Sequence, residues 1–304
     1  MQCSMLPANE YAICRSLPTR FWKDSSRYIW QKMNLGSYVL CLFILFTSCK
    51  QNDKAPASGY VKIMNTNIYY EAYGNGMPVL LLSGGGLQRS IHDFDSIIPL
   101  LSKTYRVVAP DSPGQGKSDQ PDSLSYIVLT EYFSQLIDSL KLDSVYVMGW
   151  SDGGIAALLL AEKRPDKVKK LIAVGANYTL SGALPPGIDI STVVPQQPDA
   201  WEAGNKEVVQ RYKEQPNRDW KKMKTELDEM WYQHEYFPKS VLTNISIPTL
   251  IVLGDKDDIV PEHGLDMHRQ IKNSQFCVLP NTTHDVFAES PRLINEVALK
   301  FFKQ

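Results

Sequence analysis

Residues 145–156 read Val-Tyr-Val-Met-Gly-Trp-Ser-Asp-Gly-Gly-Ile-Ala. Val145–Met148 has the composition of a buried strand, and Ile155–Ala161 is apolar nearly all round, as a buried helix would be. Between them Gly149-Trp150-Ser151-Asp152-Gly153 fits G-x-S-x-G. A strand that turns this tightly into a helix forces the central serine into a strained backbone conformation and lifts its hydroxyl clear of the sheet. The flanking glycines let strand and helix approach without side-chain clashes, and the helix amino terminus places positive potential beside the hydroxyl. The pentapeptide alone also occurs in glycine-rich turns. Its strand and helix flanks point to Ser151 as a nucleophile.

Outward from this turn, apolar strands alternate with helical patterns from about residue 59. The pattern predicts an α/β fold with a mostly parallel sheet flanked by helices. Strands are expected at Asn67–Tyr73, Pro78–Leu82, Tyr105–Ala109, Ser144–Met148, Lys170–Val174, Thr249–Leu253 and Gln275–Leu279. Thr130 is positioned to cap a helix carrying Phe133, Leu136, Ile137 and Leu140 on one face. Arg164-Pro165 ends the helix after Ser151, and Ser290-Pro291 starts a last one whose apolar stripe is Leu293, Ile294, Val297, Ala298 and Phe301. Residues 178–242 break the rhythm. A Pro/Gly-rich opening leads into helical sequence with Trp201, Tyr212, Trp220, Trp231, Tyr232, Tyr236 and Phe237. This predicts an inserted helical cap whose aromatics mainly form its own core, some of them facing a cleft. The core is then 59–177 together with 243–304.

A serine hydroxyl needs a base, and the base needs an orienting acid. His284 lies in the loop after the last strand, where a base can reach the strand ends. His92, His234, His263 and His268 read as surface or capping residues. The acid is expected after an earlier strand, within Gly254-Asp255-Lys256-Asp257-Asp258. Three aspartates compete there, and Asp257, three residues beyond the glycine, is favoured over Asp255 and Asp258. Two backbone N–H donors are needed for a developing oxyanion. One is expected at Asp152. The other lies in Ser83-Gly84-Gly85-Gly86, at Gly85.

These marks, with Asp111-Ser112-Pro113-Gly114-Gln115-Gly116-Lys117-Ser118, resemble the α/β-hydrolase fold superfamily from about residue 59 to the end. Ser83 stands where that family usually opens the oxyanion loop with histidine. Within it, Gly149–Gly154, Pro165-Asp166-Lys167-Val168 and Gly175-Ala176-Asn177 are most similar to the biphenyl-hydrolase-like (valacyclovir hydrolase) group. The resemblance implies a serine hydrolase of small esters, including amino-acid esters, acting through an acyl-enzyme, with Asp152 pairing with a substrate ammonium; the alternative for Asp152 is that it only faces solvent or a helix-end partner. Carbon–carbon bond hydrolysis, aminopeptidase-like activity and an inactive binding protein are the alternatives.

The remaining features exclude function classes. The chain has 304 residues, 43% apolar and 21% charged, with a formal net charge of −1, so nothing suggests nucleic-acid binding. Cys3, Cys14, Cys41 and Cys49 precede the globular part, and Cys277 alone falls within it. That excludes an internal disulfide framework and a cysteine-rich zinc site. No metal or organic cofactor is implied: Gly114-Gln115-Gly116 lacks the third glycine of a dinucleotide fingerprint. Near the start, Tyr38–Phe46 is an apolar run of signal-peptide length preceded by Lys23, Arg27 and Lys32. Thr47-Ser48-Cys49 follows and resembles the lipobox of bacterial lipoproteins, with Phe46 where the pattern usually has leucine. The resemblance implies a leader over 1–48, lipidation of Cys49, a polar tether over 49–58 and a membrane-anchored, exported chain. A start at Met33 would leave the leader without lysine or arginine, and an ordinary secretory signal or an uncleaved amino-terminal anchor is the alternative.

Overall fold

The computed structural model describes residues 57–304. The apolar run 38–46, Cys49 and residues 49–56 of the tether lie outside the described residues. Ala57 and Ser58 already belong to a strand.

Eight strands form one sheet: β1 (Ala57–Ile63), β2 (Thr66–Tyr73), β3 (Pro78–Leu82), β4 (Arg106–Pro110), β5 (Val145–Trp150), β6 (Val168–Val174), β7 (Thr249–Gly254) and β8 (Ser274–Leu279). Their order is β1-β2-β4-β3-β5-β6-β7-β8. β1 and β2 pair antiparallel, β2 joins β4 antiparallel, and every later pairing is parallel. β3 therefore sits between β4 and β5. At this point the strand order reverses, and a crevice opens at the carboxyl ends of the strands. The central strands read as continuous apolar runs because helices cover both faces: Val79–Leu82, Val147, Met148, Ile172 and Ile251 have no or almost no exposure.

The helices that position the site are α1 (Tyr126–Ser139), α2 (Asp152–Lys163), α3 (Pro198–Gly204), α4 (Lys206–Lys213), α5 (Trp220–Trp231), α6 (Ser240–Asn244), α7 (Pro261–Gln270) and α8 (Pro291–Lys303). Two expectations are corrected. The cap of α1 is Ser125, whose hydroxyl accepts from Val128 N at 3.2 Å. Thr130 lies inside the helix and donates back to the Tyr126 carbonyl at 2.7 Å. In α8, Ile294, Ala298, Phe301 and Phe302 are buried while Leu293 is exposed, because the apolar face is rotated by one position.

The segment 178–242 leaves and returns through a narrow neck. Thr179 and Glu235 form an antiparallel bridge there, with Leu180 N donating to His234 O at 3.1 Å and Tyr236 N to Tyr178 O at 3.0 Å. Beyond the neck, Phe237, Val241 and Leu242 pack into the main core. Opposite the neck, α3–α5 are fastened to the core. The Arg218 guanidinium donates to the carbonyls of Gly114, Gly116 and Ser118, and Tyr212 Oη donates to Gly114 O at 2.9 Å. The aromatics of this segment divide, with fewer in its own core than expected. Trp201 and Trp220 stack at 6.3 Å between centroids and Tyr212 is buried, whereas Trp231, Tyr232 and Tyr236 face the cleft.

Candidate active site

Ser151 follows β5 directly and begins α2 with φ +54° and ψ −122°, a left-handed conformation that a serine adopts only under constraint. The constraint is the packing of the turn. A side chain at Gly153 would run into the carbonyl oxygen of Leu82, so α2 can lie against β3 only with glycine there. His284 arrives on the loop after β8. Its Nε2 lies 3.0 Å from Ser151 Oγ and its Nδ1 lies 2.7 Å from Asp257 Oδ1.

The loop after β7 separates the three candidate aspartates. Asp257, its side chain fully buried, also accepts from Gly254 N at 3.2 Å and Ile259 N at 3.0 Å, so three donors, His284 Nδ1 among them, fix its carboxylate. Asp255 instead accepts from Thr282 N at 2.9 Å and staples the β7 loop to the β8 loop. Asp258 sits at the rim of the cavity. Burial pushes the His284 imidazole down. The hydrogen bond and charge of Asp257, with the charges of Asp258 and Asp285, outweigh burial, and the net direction is upward from 6.5.

Asp152 is the first residue of α2, so its N–H has no intrahelical acceptor and points toward the nucleophile's end of the helix. Across from it lies the Gly84–Gly86 loop. Gln115 braces that loop, its amide oriented to donate to Gly84 O at 3.1 Å and accept from Gly86 N at 3.2 Å. Gly85 lies between these anchors, against Asp152. A Cβ there would collide with the Asp152 carboxylate and touch Trp231. The sequence pointed to Gly85 and Asp152 but not to Gln115, which only the folded loop brings into reach.

The Asp152 side chain is buried against neither solvent nor a helix-end partner. Tyr126 Oη donates to its Oδ1 at 2.9 Å and Trp231 Nε1 donates to its Oδ2 at 2.7 Å. Burial pushes this carboxyl up, and the bonds from Trp231 and Tyr126 oppose the rise. Among the described residues no lysine or arginine pairs with it. The cleft is a cavity of about 800 Å³ bounded by Ser151, Asp152 and His284 below and by Leu184, Pro185 and Trp231 from the cap. No lysine or arginine lines it. Of the other histidines, His263 corrects the expectation of a surface residue. It is buried, stacks on Tyr178 at 4.5 Å and accepts from Tyr178 N at 3.1 Å, and burial holds it down at about 4. It therefore pins the neck as a neutral ring. Among the described residues no group of three or more metal-ligating side chains converges, and no helix is long and apolar enough to cross a membrane.

Comparison with known proteins shows the family and the fold. Residues 77–235 match the family described as alpha/beta hydrolase fold. The human protein named serine hydrolase BPHL is 25% identical over 311 aligned positions, covering 88% of this chain and 98% of that one. A Pseudomonas putida protein named 2-hydroxy-6-oxononadienedioate/2-hydroxy-6-oxononatrienedioate hydrolase 2 is 28% identical over 294 positions, covering 83% and 98%. Among solved structures, the meta-cleavage product hydrolase of Pseudomonas fluorescens IP01 superposes with a TM-score of 0.65 at 21% identity, over 81% of this chain and 97% of that one.

Proposed function

The chain belongs to the alpha/beta hydrolase fold family, and on that premise we propose that it is a serine hydrolase of small carboxylic esters, with Ser151, His284 and Asp257 as its catalytic triad. The observation that carries this is the unbroken path Ser151 Oγ–His284 Nε2 at 3.0 Å and His284 Nδ1–Asp257 Oδ1 at 2.7 Å, opening into a cavity large enough for a small ester. Ser151 Oγ attacks the acyl carbon while His284 Nε2 takes its proton. The carbonyl oxygen, now anionic, is held by the N–H groups of Asp152 and Gly85. Collapse expels the alcohol, which takes the proton from His284, and leaves an acyl-enzyme. His284 then deprotonates a water that attacks the acyl carbon, and the acid is released.

The cavity lining favours esters over ring-cleavage products. A substrate such as the dienedioate named for the P. putida relative carries two carboxylates. Here it would meet Asp152, Asp257 and Asp258 and no lining cation. The buried, unpaired Asp152 supports a further specification: an acyl group bearing an α-ammonium. The test is turnover of purified protein on short acyl esters and amino-acid esters, with labelling by a fluorophosphonate probe. No labelling and no turnover by the folded protein would favour the non-catalytic binding alternative.

The raised His284 value has a direct kinetic consequence. His284 must be neutral to take the Ser151 proton, so kcat/KM rises with pH through a midpoint above 6.5. Asp257→Asn removes the charge that favours the imidazolium. Its midpoint should therefore fall, and its kcat should drop by about 10⁴-fold because the imidazole loses its required tautomer. Both are read from a pH–rate profile on a 4-nitrophenyl ester. An unshifted midpoint would argue that Asp257 does not orient His284.

We also propose that the apolar run 38–46 with Thr47-Ser48-Cys49 exports the chain and that Cys49 carries a lipid anchor. Expressed in a bacterial host, the full chain should incorporate labelled palmitate and partition into detergent, and Cys49→Ala should do neither. Equal incorporation by both would refute this.

A further inference from the structure

We propose that Trp150 is a positioning residue for His284: its indole N–H holds the main chain of the base, so that base and nucleophile are referenced to the same strand end. The proposal rests on the triad reading above. Trp150 is the last residue of β5 and immediately precedes Ser151, and its side chain is buried in the core beside Phe287 and does not line the cavity. Its Nε1 donates to the His284 carbonyl at 2.9 Å, and the same oxygen accepts from Val286 N at 2.9 Å. An indole can only donate, and a buried one needs an acceptor. Here the acceptor is the backbone of the residue whose ring must reach Ser151.

The indole is itself clamped. Phe287 meets it edge-on at 5.9 Å between centroids, and the Arg89 guanidinium lies 4.4 Å over the ring. Arg89 reaches Asp93 at 3.4 Å and Asp285, the neighbour of His284, at 3.5 Å. The imidazole lies 5.7 Å from the indole. The Asp257 bond at Nδ1 sets the direction of the imidazole, and the Thr282 N–Asp255 bond holds the loop two residues earlier, but neither bears on the His284 carbonyl itself. That carbonyl belongs to the loop 280–285, which Asn281 enters at φ +54°. The Trp150 bond ties the His284 carbonyl directly to the end of β5. Because Trp150 and Ser151 are covalent neighbours, any movement of the strand end carries nucleophile and base together and preserves the 3.0 Å contact.

The test uses two substitutions at Trp150 in the otherwise intact protein. Trp150→Phe keeps an aromatic ring against Phe287 and beneath Arg89 but has no N–H. Replacement by 3-benzothienylalanine keeps the indole shape with sulfur in place of N–H, and it decides the matter if the phenylalanine variant fails to fold. On 4-nitrophenyl acetate each is expected to lose about 10- to 100-fold in kcat, with KM within about twofold of wild type. The acid-limb midpoint should move down toward 6.5 as the Asp257–His284 contact loosens. If Trp150 were only packing, the benzothienyl variant would restore wild-type kcat and midpoint, and that result overturns the proposal. Fluorophosphonate labelling of the wild type, lost in Ser151→Ala, is measured alongside. Its failure would overturn the triad reading itself, independently of what Trp150 does.

Discussion

Ser151→Ala is expected to lower kcat on the best ester by about 10⁴- to 10⁶-fold without unfolding the protein. The magnitude follows from what is removed. His284 and Asp257 have no other hydroxyl to activate, and what survives is water attack assisted by the Asp152 and Gly85 N–H groups. A second serine variant separates chemistry from backbone strain. Ser151 holds φ +54° and ψ −122°, which costs a non-glycine residue about 1–3 kcal/mol. Ser151→Ala keeps that strain. Ser151→Gly relieves it, against about 0.5–1 kcal/mol of extra unfolded-chain entropy. The glycine variant should therefore exceed the alanine variant in stability by about 1 kcal/mol, or about 2–4 °C in melting temperature for a domain of this size. Both should be equally inactive. Equal melting temperatures would limit the stored strain to the roughly 0.5–1 kcal/mol that the glycine's entropy offsets, and retained turnover in either variant would place the nucleophile elsewhere.

What could be read from the residues alone depended on how local each determinant is. The Ser151 elbow is legible because strand, serine and helix start occupy twelve consecutive positions, and His284 is legible because it follows the last apolar strand. Asp257 needed the fold. Asp255 and Asp258 have the same chemistry, and the hydrogen bonds from Gly254 N and Ile259 N hold the Asp257 carboxylate where it meets His284 Nδ1. β1 escaped notice because it is an edge strand with little buried surface, so its sequence carries no strong apolar pattern. Thr130 reads as a cap because it is a capping residue ahead of the apolar stripe, whereas the residue that caps α1, Ser125, lies five positions earlier and is no weaker a capping residue. The partners of Asp152 were beyond reach: Tyr126 lies 26 positions away on another helix and Trp231 lies 79 positions away in the cap. Trp150 was visible as a letter in the motif, but its contact with a carbonyl 134 positions on was not.

Asp152→Asn tests the proposed substrate class most sharply. A carboxylate buried with only neutral donors around it is held at a cost, because burial disfavours its charged form. An ammonium entering the cavity would supply the missing counter-charge at a point already beside Ser151. Removing one partner of such a buried pair is worth about 3 kcal/mol, or roughly 10²-fold. The ratio of kcat/KM for an α-amino ester to that for its des-amino analogue should therefore fall by about 10²-fold in Asp152→Asn. The des-amino ester itself should change little. Asparagine can keep the local geometry: its Oδ1 can accept from Trp231, which can only donate, while Tyr126 rotates its hydroxyl to accept from Nδ2. The pH dependence of selectivity has a definite sign. Asp152 must be ionised to pair, so the preference is absent below its pKa, which lies above 3.8, and grows as pH rises through it. It fades again near pH 8, as an α-amino group loses its proton. A preference that survives Asp152→Asn at its wild-type size would leave Asp152 with an architectural role alone, tying Trp231 of the cap and Tyr126 of the core to the first turn of α2.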